Sequence, residues 1–321
     1  MKALVTGASG FVGRHLLEHL KHRGHEVTAV VRRTGLASHV DREVVVDGIG
    51  GDTDWTDVLA GHDVVIHLAA RVHVMRDNSM DPLAEHRAVN TAGTLRLAHA
   101  AADQGVRRFV FMSTIKVNGE GQKNHRYEAS DFPNPRDPYG LSKLEAETAL
   151  LDLAKRSDLD VAIVRSPLVY GPDVGGNFRR MLALVRSGIP LPLGSVKNRR
   201  TMTSVWNLVD LLEQASLDQR ASGAVVLAGD AFSPSTPELF RAIAEAAGRP
   251  SRLFPFPVGI LRLGAGLLRK SDLVDRLIGS LEVEPGSSTS SKFWKPSVSF
   301  EDGIMRTVAW YENAMSKEVG D

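Results

Sequence analysis

Pro138-Tyr139-Gly140-Leu141-Ser142-Lys143 sets a phenol and an ammonium four residues apart. On a helix such residues share a face, so both side chains can enter one cleft. A free phenol titrates near 10 and is a poor acid or base at neutral pH. A neighbouring lysine favours the phenolate, but carrying the phenol to neutrality takes roughly 4 kcal/mol of differential interaction. One exposed lysine supplies less than that. A second positive charge is therefore wanted. Taken alone the pair fits a plain surface helix as well as a catalytic one, so its meaning rests on the elements that precede it.

Lys2-Ala3-Leu4-Val5-Thr6 is an apolar run suited to a buried parallel strand, and it leads into Gly7-Ala8-Ser9-Gly10-Phe11-Val12-Gly13. Val12, Leu16, Leu17 and Leu20 then recur at helical spacing. Strand, glycine turn and helix N-terminus form a cradle for a pyrophosphate, because backbone N–H groups and the helix dipole face it. Gly7, Ser9, Gly10, Phe11, Val12 and Gly13 are the expected dinucleotide contacts. An oxidised nicotinamide would be the second positive charge beside Tyr139. The second strand, Glu26 to Val31, ends in Arg32-Arg33, where an acid would hold a ribose 2′-hydroxyl and an arginine accepts a 2′-phosphate. NADP is therefore favoured over NAD, the alternative being a pair of solvated arginines. Asp47, closing the third strand at 44–47, either reaches an adenine amine or caps a turn.

The fourth strand, 64–70, ends in Leu68-Ala69-Ala70, small enough for a cofactor to lie against the backbone. His67 within it reads as a core histidine. Arg71 and His73 follow at the carboxyl edge, the usual place for ligand contacts in an open parallel sheet. A helix over 81–104 carries Asn90. The fifth strand, 108–112, runs into Ser113-Thr114, a hydroxyl pair fit to bond a substrate carbonyl, and a sixth strand covers 160–165. Beyond Pro172 the alternation of strand and helix loosens. The fold expected is α/β: a Rossmann doubly wound parallel sheet over 1–171 and a smaller C-terminal α/β substrate domain over 172–321, with segments that can return to the first. Asn177, Phe178 and Arg200 fall in this second region. Arginine suits a diphosphate because its fork matches the oxygens.

The 321 residues are 43% hydrophobic and 24% charged, with a formal net charge of +1, so no strong field points to nucleic acid or to an anionic membrane. Cysteine is absent, so disulfides and thiol catalysis are excluded, and the composition fits a reducing cytoplasm. No metal-ligand pattern stands out. The most apolar stretch, 256–268, is too short to span a bilayer and contains Arg262; it reads as a packed helix rather than a membrane-surface one. Membrane insertion is not expected.

With the glycine loop, Ser113-Thr114 and Tyr139-x-x-x-Lys143 in this order, the chain resembles the extended short-chain dehydrogenase/reductases, within them the nucleotide-sugar epimerase/reductase branch. Thr-Gly-x-x-Gly-x-x-Gly at 6–13, Leu-Ala-Ala at 68–70, Asn90, Asn177-Phe178, the run from Arg200 to Leu208, and Trp294-Lys295-Pro296 carry the resemblance. It implies that Tyr139 is the general acid/base and that Lys143 binds the nicotinamide ribose and lowers the phenol pKa. Thr114, assisted by Ser113, would position the reacting oxygen. Leu68, Ala69, Ala70 and Asn90 would line the cofactor, and Arg71, His73, Thr114, Asn177, Phe178 and Arg200 the UDP-sugar. A homodimer built on helices 81–104 and 139–156 is also implied. Ile115-Lys116 stand where 4,6-dehydratases carry Asp-Glu, which argues against water elimination. Leu168 replaces an asparagine and Asn118 a tyrosine of related sequences. The leading expectation is a UDP-4-keto-6-deoxy-sugar 4-reductase. The alternatives are a UDP-glucose or UDP-N-acetylglucosamine 4-epimerase and a non-catalytic NADP-binding redox sensor, a class that generally loses the tyrosine or lysine retained here.

Overall fold

The computed structural model describes residues 1–72, 79–121, 125–267, 275 and 277–320. Apolar runs buried on both faces become the strands β1 (Lys2–Thr6), β2 (Glu26–Val31), β4 (Val64–His67), β5 (Arg108–Thr114) and β6 (Asp160–Ser166), while β3 (Arg42–Val45) is a half-exposed edge strand paired to β2. A later strand, β9 (Val225–Leu227), pairs with β6 and completes a seven-stranded parallel sheet of order β3-β2-β1-β4-β5-β6-β9. Strand order reverses between β1 and β4, which makes the carboxyl edge there the natural ligand crevice. The chain is therefore the doubly wound α/β fold expected from the sequence.

Helices cover both faces. Leu16, Leu17 and Leu20 of α1 (Phe11–His22) join Leu208 and Leu212 of a helix at Val205–Leu217 on one side. On the other lie a helical segment from Pro82 to Asp103 and the helix at Pro138–Ala154, through Leu97, Ala98, Ala146 and Leu150. The expected single helix over 81–104 contains a π-helical turn at Ala88–Gly93, centred on Asn90. Such insertions cluster where a side chain must be re-aimed. A second core, built from Phe178, Met181, Leu182, Phe240 and Ile304, sits under a smaller lobe. That lobe contains a two-stranded parallel ladder of β7 (Leu168–Tyr170) with β8 (Met202–Ser204), and helices at Gly176–Ser187, Thr236–Ala246, Val258–Leu267 and Phe300–Gly320.

The expected break at 171/172 is crossed, because the helix Val205–Leu217 and β9 return to the large sheet. The helix expected within 256–268 forms at Val258–Leu267 but packs only partly: Val258 and Leu261 face the lobe while Ile260 is 54% and Leu263 72% exposed. A helix apolar nearly all round has more apolar surface than one contact face can cover. His73 lies outside the described residues.

Candidate functional site

Nine expected contacts meet at the carboxyl edge between β1 and β4. Gly7 has φ +68°, and a Cβ there would lie 2.7 Å from Ala69 N; one on Gly13 would lie 2.2 Å from Gly7 O. Glycine is thus required for the loop to lie flush against Leu68 and Ala69 and for α1 to approach it. Gly10 is the N-cap in extended backbone, so no side chain covers the first turn of α1. Ser9, Phe11 and Val12 surround that helix end half-buried, as do Leu68, Ala69 and Ala70 across the crevice. The residues present fit a dinucleotide diphosphate on the helix N-terminus. Arg32 and Arg33 leave β2, and Asp47 follows β3, all three exposed on the same edge.

Asp137 starts the helix Pro138–Ala154, which carries Tyr139 and Lys143, by accepting from Gly140 N at 2.6 Å, with Pro138 as the first helical residue. Lys116 clamps this cap by an ion pair to Asp137 and a second to Glu120 at 3.3 Å. Where dehydratases hold two acids, this chain thus has buried Ile115 and a lysine already spent on the helix cap. Lys143 is 1% exposed, with its ammonium 3.8 Å from the centre of the Phe111 ring. Burial drops its pKa to about 7, with Glu147 pulling the other way. Burial also raises the Tyr139 phenol well above its usual value, and the charge of Asp137 adds to this. The expected lowering of the phenol by Lys143 is therefore outweighed in the chain by itself, since desolvation dominates both groups. Tyr139 rests protonated, as an acid.

Thr114, at the end of β5, accepts from Lys116 N at 3.3 Å and can still donate its own hydrogen. Ser113 does not join it. Strand alternation sends Ser113 the other way, where its hydroxyl donates to Glu147. Glu147 is held at 2.6 Å by Arg165, which reaches Asn118 at 2.9 Å. Asn118 in turn donates to Glu128 O at 2.9 Å, which gives this departure from related sequences a structural use. Ser113 is thus a support rather than a contact for the reacting oxygen. Asn90 is fully buried and likewise spent. It accepts from Arg71 N at 2.8 Å and donates to Arg71 O and Ser142 Oγ, tying the end of β4 to the helix Pro138–Ala154 rather than reaching a cofactor. His67 is the core histidine expected, bonded to Thr6 and Thr94, with its pKa down to about 3 by burial and by the Lys143 charge.

On the lobe side a cavity of about 240 Å³ is lined by Leu168, Asn177, Arg180, Leu184 and Arg200, among others. Phe178 is not among its walls: it is fully buried and stacks on Tyr170 at 5.3 Å. Arg180, one turn after Asn177 and one of the arginines the sequence offers for a diphosphate, joins this lining. Sequence reasoning missed His86, buried, with its ring 5.9 Å from that of Tyr139. Glu147 was legible as well, one turn past Lys143. The arrangement places a protonated phenol, a hydroxyl and a buried ammonium at the mouth of a dinucleotide cradle, with arginines beyond. It is equipped to move a proton on a hydroxyl while hydride moves at the attached carbon.

Residues 3–228 match the model of the NAD dependent epimerase/dehydratase family. The chain is 40% identical over 316 residues to a UDP-glucose 4-epimerase of Vibrio cholerae, covering 98% of this chain and 96% of that one. It is 28% identical over 272 residues to an N-acetyl-alpha-D-glucosaminyl-diphospho-ditrans,octacis-undecaprenol 4-epimerase of Escherichia coli O157:H7, covering 80% and 76% of the two chains. Among solved structures, MoeE5 in complex with UDP-glucose and NAD superposes with a TM-score of 0.77 at 26% identity, over 98% of this chain and all of that one. The glycine cradle, the buried tyrosine–lysine helix and these matches place the chain in the NAD dependent epimerase/dehydratase family.

Proposed function

We propose that this protein is a nucleotide-sugar 4-epimerase that acts on a UDP-hexose or UDP-N-acetylhexosamine and retains NAD. The observation that carries this reading is the 40% identity, over nearly the full length of both chains, to a UDP-glucose 4-epimerase. It moves the preference away from the 4-ketoreductase favoured by the sequence. Gly7, Gly10 and Gly13 hold the cofactor diphosphate, and Leu68 to Ala70 lie along it. A bound nicotinamide supplies hydride acceptance and return at C4. Tyr139 exchanges a proton with the 4-oxygen, Thr114 donates to that oxygen, and Lys143 binds beside the phenol and steadies its charge. Asn177, Arg180 and Arg200 take the nucleotide end of the substrate. Ile115 and Lys116, in place of two acids, argue against dehydration. We also assign a cytoplasmic homodimer, paired through the helical segment 82–103 and the helix 138–154, which lie side by side.

The 4-ketoreductase remains a second reading because of one observation, the exposed Arg32-Arg33 at the end of β2, which would suit the 2′-phosphate of NADPH. One experiment separates them. Purified protein is given UDP-glucose or UDP-N-acetylglucosamine without added cofactor, and separately a UDP-4-keto-6-deoxy sugar with NADPH. Conversion to the C4 epimer, with no net change at the nicotinamide absorbance band, is the expected result. Consumption of NADPH with the keto sugar, and no epimer in the first arm, replaces the epimerase by the reductase.

A further inference from the structure

The small lobe carries an apolar, cationic face that the proposed chemistry does not use. Two stretches build it, and they are joined by the backbone pairing of Leu191 with Leu253. From 174 to 200 the sequence has no carboxylate and six arginines and lysines, four of them besides Arg180 and Arg200 of the cavity; from 249 to 267 it has three arginines and no carboxylate. In a chain of net charge +1, this is a local excess of one sign. The same stretches expose large apolar side chains: Ile189 is 57%, Phe254 41%, Ile260 54% and Leu263 72% exposed. Some of the cations are answered from elsewhere. Arg186 meets Glu312 at 3.2 Å and Arg199 meets Glu238 at 2.7 Å, while Arg262 has Asp275 at 3.9 Å. Arg252, beside Phe254, is exposed and donates to Gly188 O at 3.1 Å.

A helix with its apolar side fixed on a protein core exposes polar residues on the other. The helix at Val258–Leu267 packs Val258 and Leu261 on the lobe and still turns Ile260 and Leu263 outward beside Arg262. Exposed aliphatic and aromatic side chains ringed by arginine match a surface that is apolar beneath and anionic at its head groups. We propose that this face docks the protein on an anionic lipid bilayer, with Phe254, Ile260 and Leu263 entering the acyl boundary and Arg252 and Arg262 meeting the phosphates. The docking is peripheral; among the described residues no helix is long and apolar enough to cross a membrane. Leu184 borders Ile189 and Arg252 of the face and also lines the cavity that holds Arg180 and Arg200, so docking would bring that cavity close to the head groups.

The full chain is mixed with vesicles of phosphatidylglycerol and phosphatidylethanolamine, and with vesicles of phosphatidylcholine alone, and then sedimented at low and high salt. Binding is expected to the anionic vesicles and to fall steeply with salt. I260Q/L263Q and, separately, R252E/R262E are each expected to weaken it by about tenfold or more. Both pairs are exposed, so the thermal midpoint and the turnover of soluble sugar nucleotide should stay as in the parent. Equal binding to the two vesicle types, or variants that bind like the parent, overturns the proposal. So does concentration-dependent self-association in place of vesicle binding, abolished by I260Q/L263Q, which would make the face a contact between two copies. Vesicle binding is read without turnover, so its failure is distinct from failure of the epimerase reading.

Discussion

The large sheet and the small lobe treat charge in opposite ways. Around the sheet, buried charges are matched at close range. Glu147 and Arg165, with side chains 2% and 5% exposed, form a bidentate pair. Glu213, 1% exposed, gathers His19, Arg23 and His25. In the lobe, long stretches carry cations with no acid of their own, and those met by Glu238, Glu312 or Asp275 are met at the surface. The contrast separates two uses: the sheet half buries its charge pairs to fix a geometry, and the lobe leaves its charges within reach of solvent.

The sharpest way to break this division is at Tyr139. Tyr139→Phe should lower kcat by about 10²–10⁴-fold, the range for a lost general acid/base. The thermal midpoint should hold, because only one hydroxyl is removed. A rate within a few-fold of the parent would move the proton transfer to another group, such as His86, whose ring lies 5.9 Å from that of Tyr139. Glu147→Ala is the matching test of geometry, and here stability should move. It strands Arg165 in the interior, at a cost of about 3–5 kcal/mol in urea unfolding. Replacing both partners by methionine should recover most of that, since the cost lies in the unpaired charge. If the single and double variants lose stability equally, the pair is a packing element only.

Much of this was legible in the sequence, and unevenly so. β1, β2 and β6 formed within a residue of expectation because continuous apolar runs ended by Gly, Arg or Pro leave little choice of state. The cradle and the Tyr139–Lys143 spacing were readable because each depends on neighbours a few residues away. What failed depended on long-range contact. Ser113 and Asn90 have site-like residue types, but their bonds go to Glu147 and to Arg71 and Ser142, partners that periodicity does not reveal. Phe178 next to Asn177 was expected in the pocket. On a helix adjacent residues point about 100° apart, and the apolar one went to the core. The return of β9 to the sheet likewise follows from pairing with β6, which no local pattern encodes.

Lys143 joins the two kinds of effect. Its ordinary value of 10.5 falls to about 7 by burial, so below about 7 both folded and unfolded chains carry the proton and the folded state bears the whole cost of burying it. Between about 7 and 10.5 the folded lysine releases its proton while the unfolded one keeps it, and stability rises with pH. Lys143→Met should therefore stabilise the cofactor-free protein at pH 6 by about 2–4 kcal/mol, with the gain shrinking toward pH 10, while turnover is lost. A stability difference that does not change with pH would mean that the ammonium is already neutralised by Glu147.

The smallest effect is expected in the lobe. Arg200→Ala removes one cation from the cavity that also holds Asn177 and Arg180. Charge-assisted bonds of this kind contribute about 1.5–3 kcal/mol when fully made, and a neighbouring arginine shares the load, so KM should rise by about tenfold. Because the lobe is assigned to binding and not to proton or hydride movement, kcat should stay within about threefold, as expected for uniform binding. Raising the salt concentration should weaken the parent more than the variant, since one fewer screened contact remains. A drop in kcat with KM unchanged would mean that Arg200 contributes only in the transition state, and the two halves would then share the chemistry instead of dividing it.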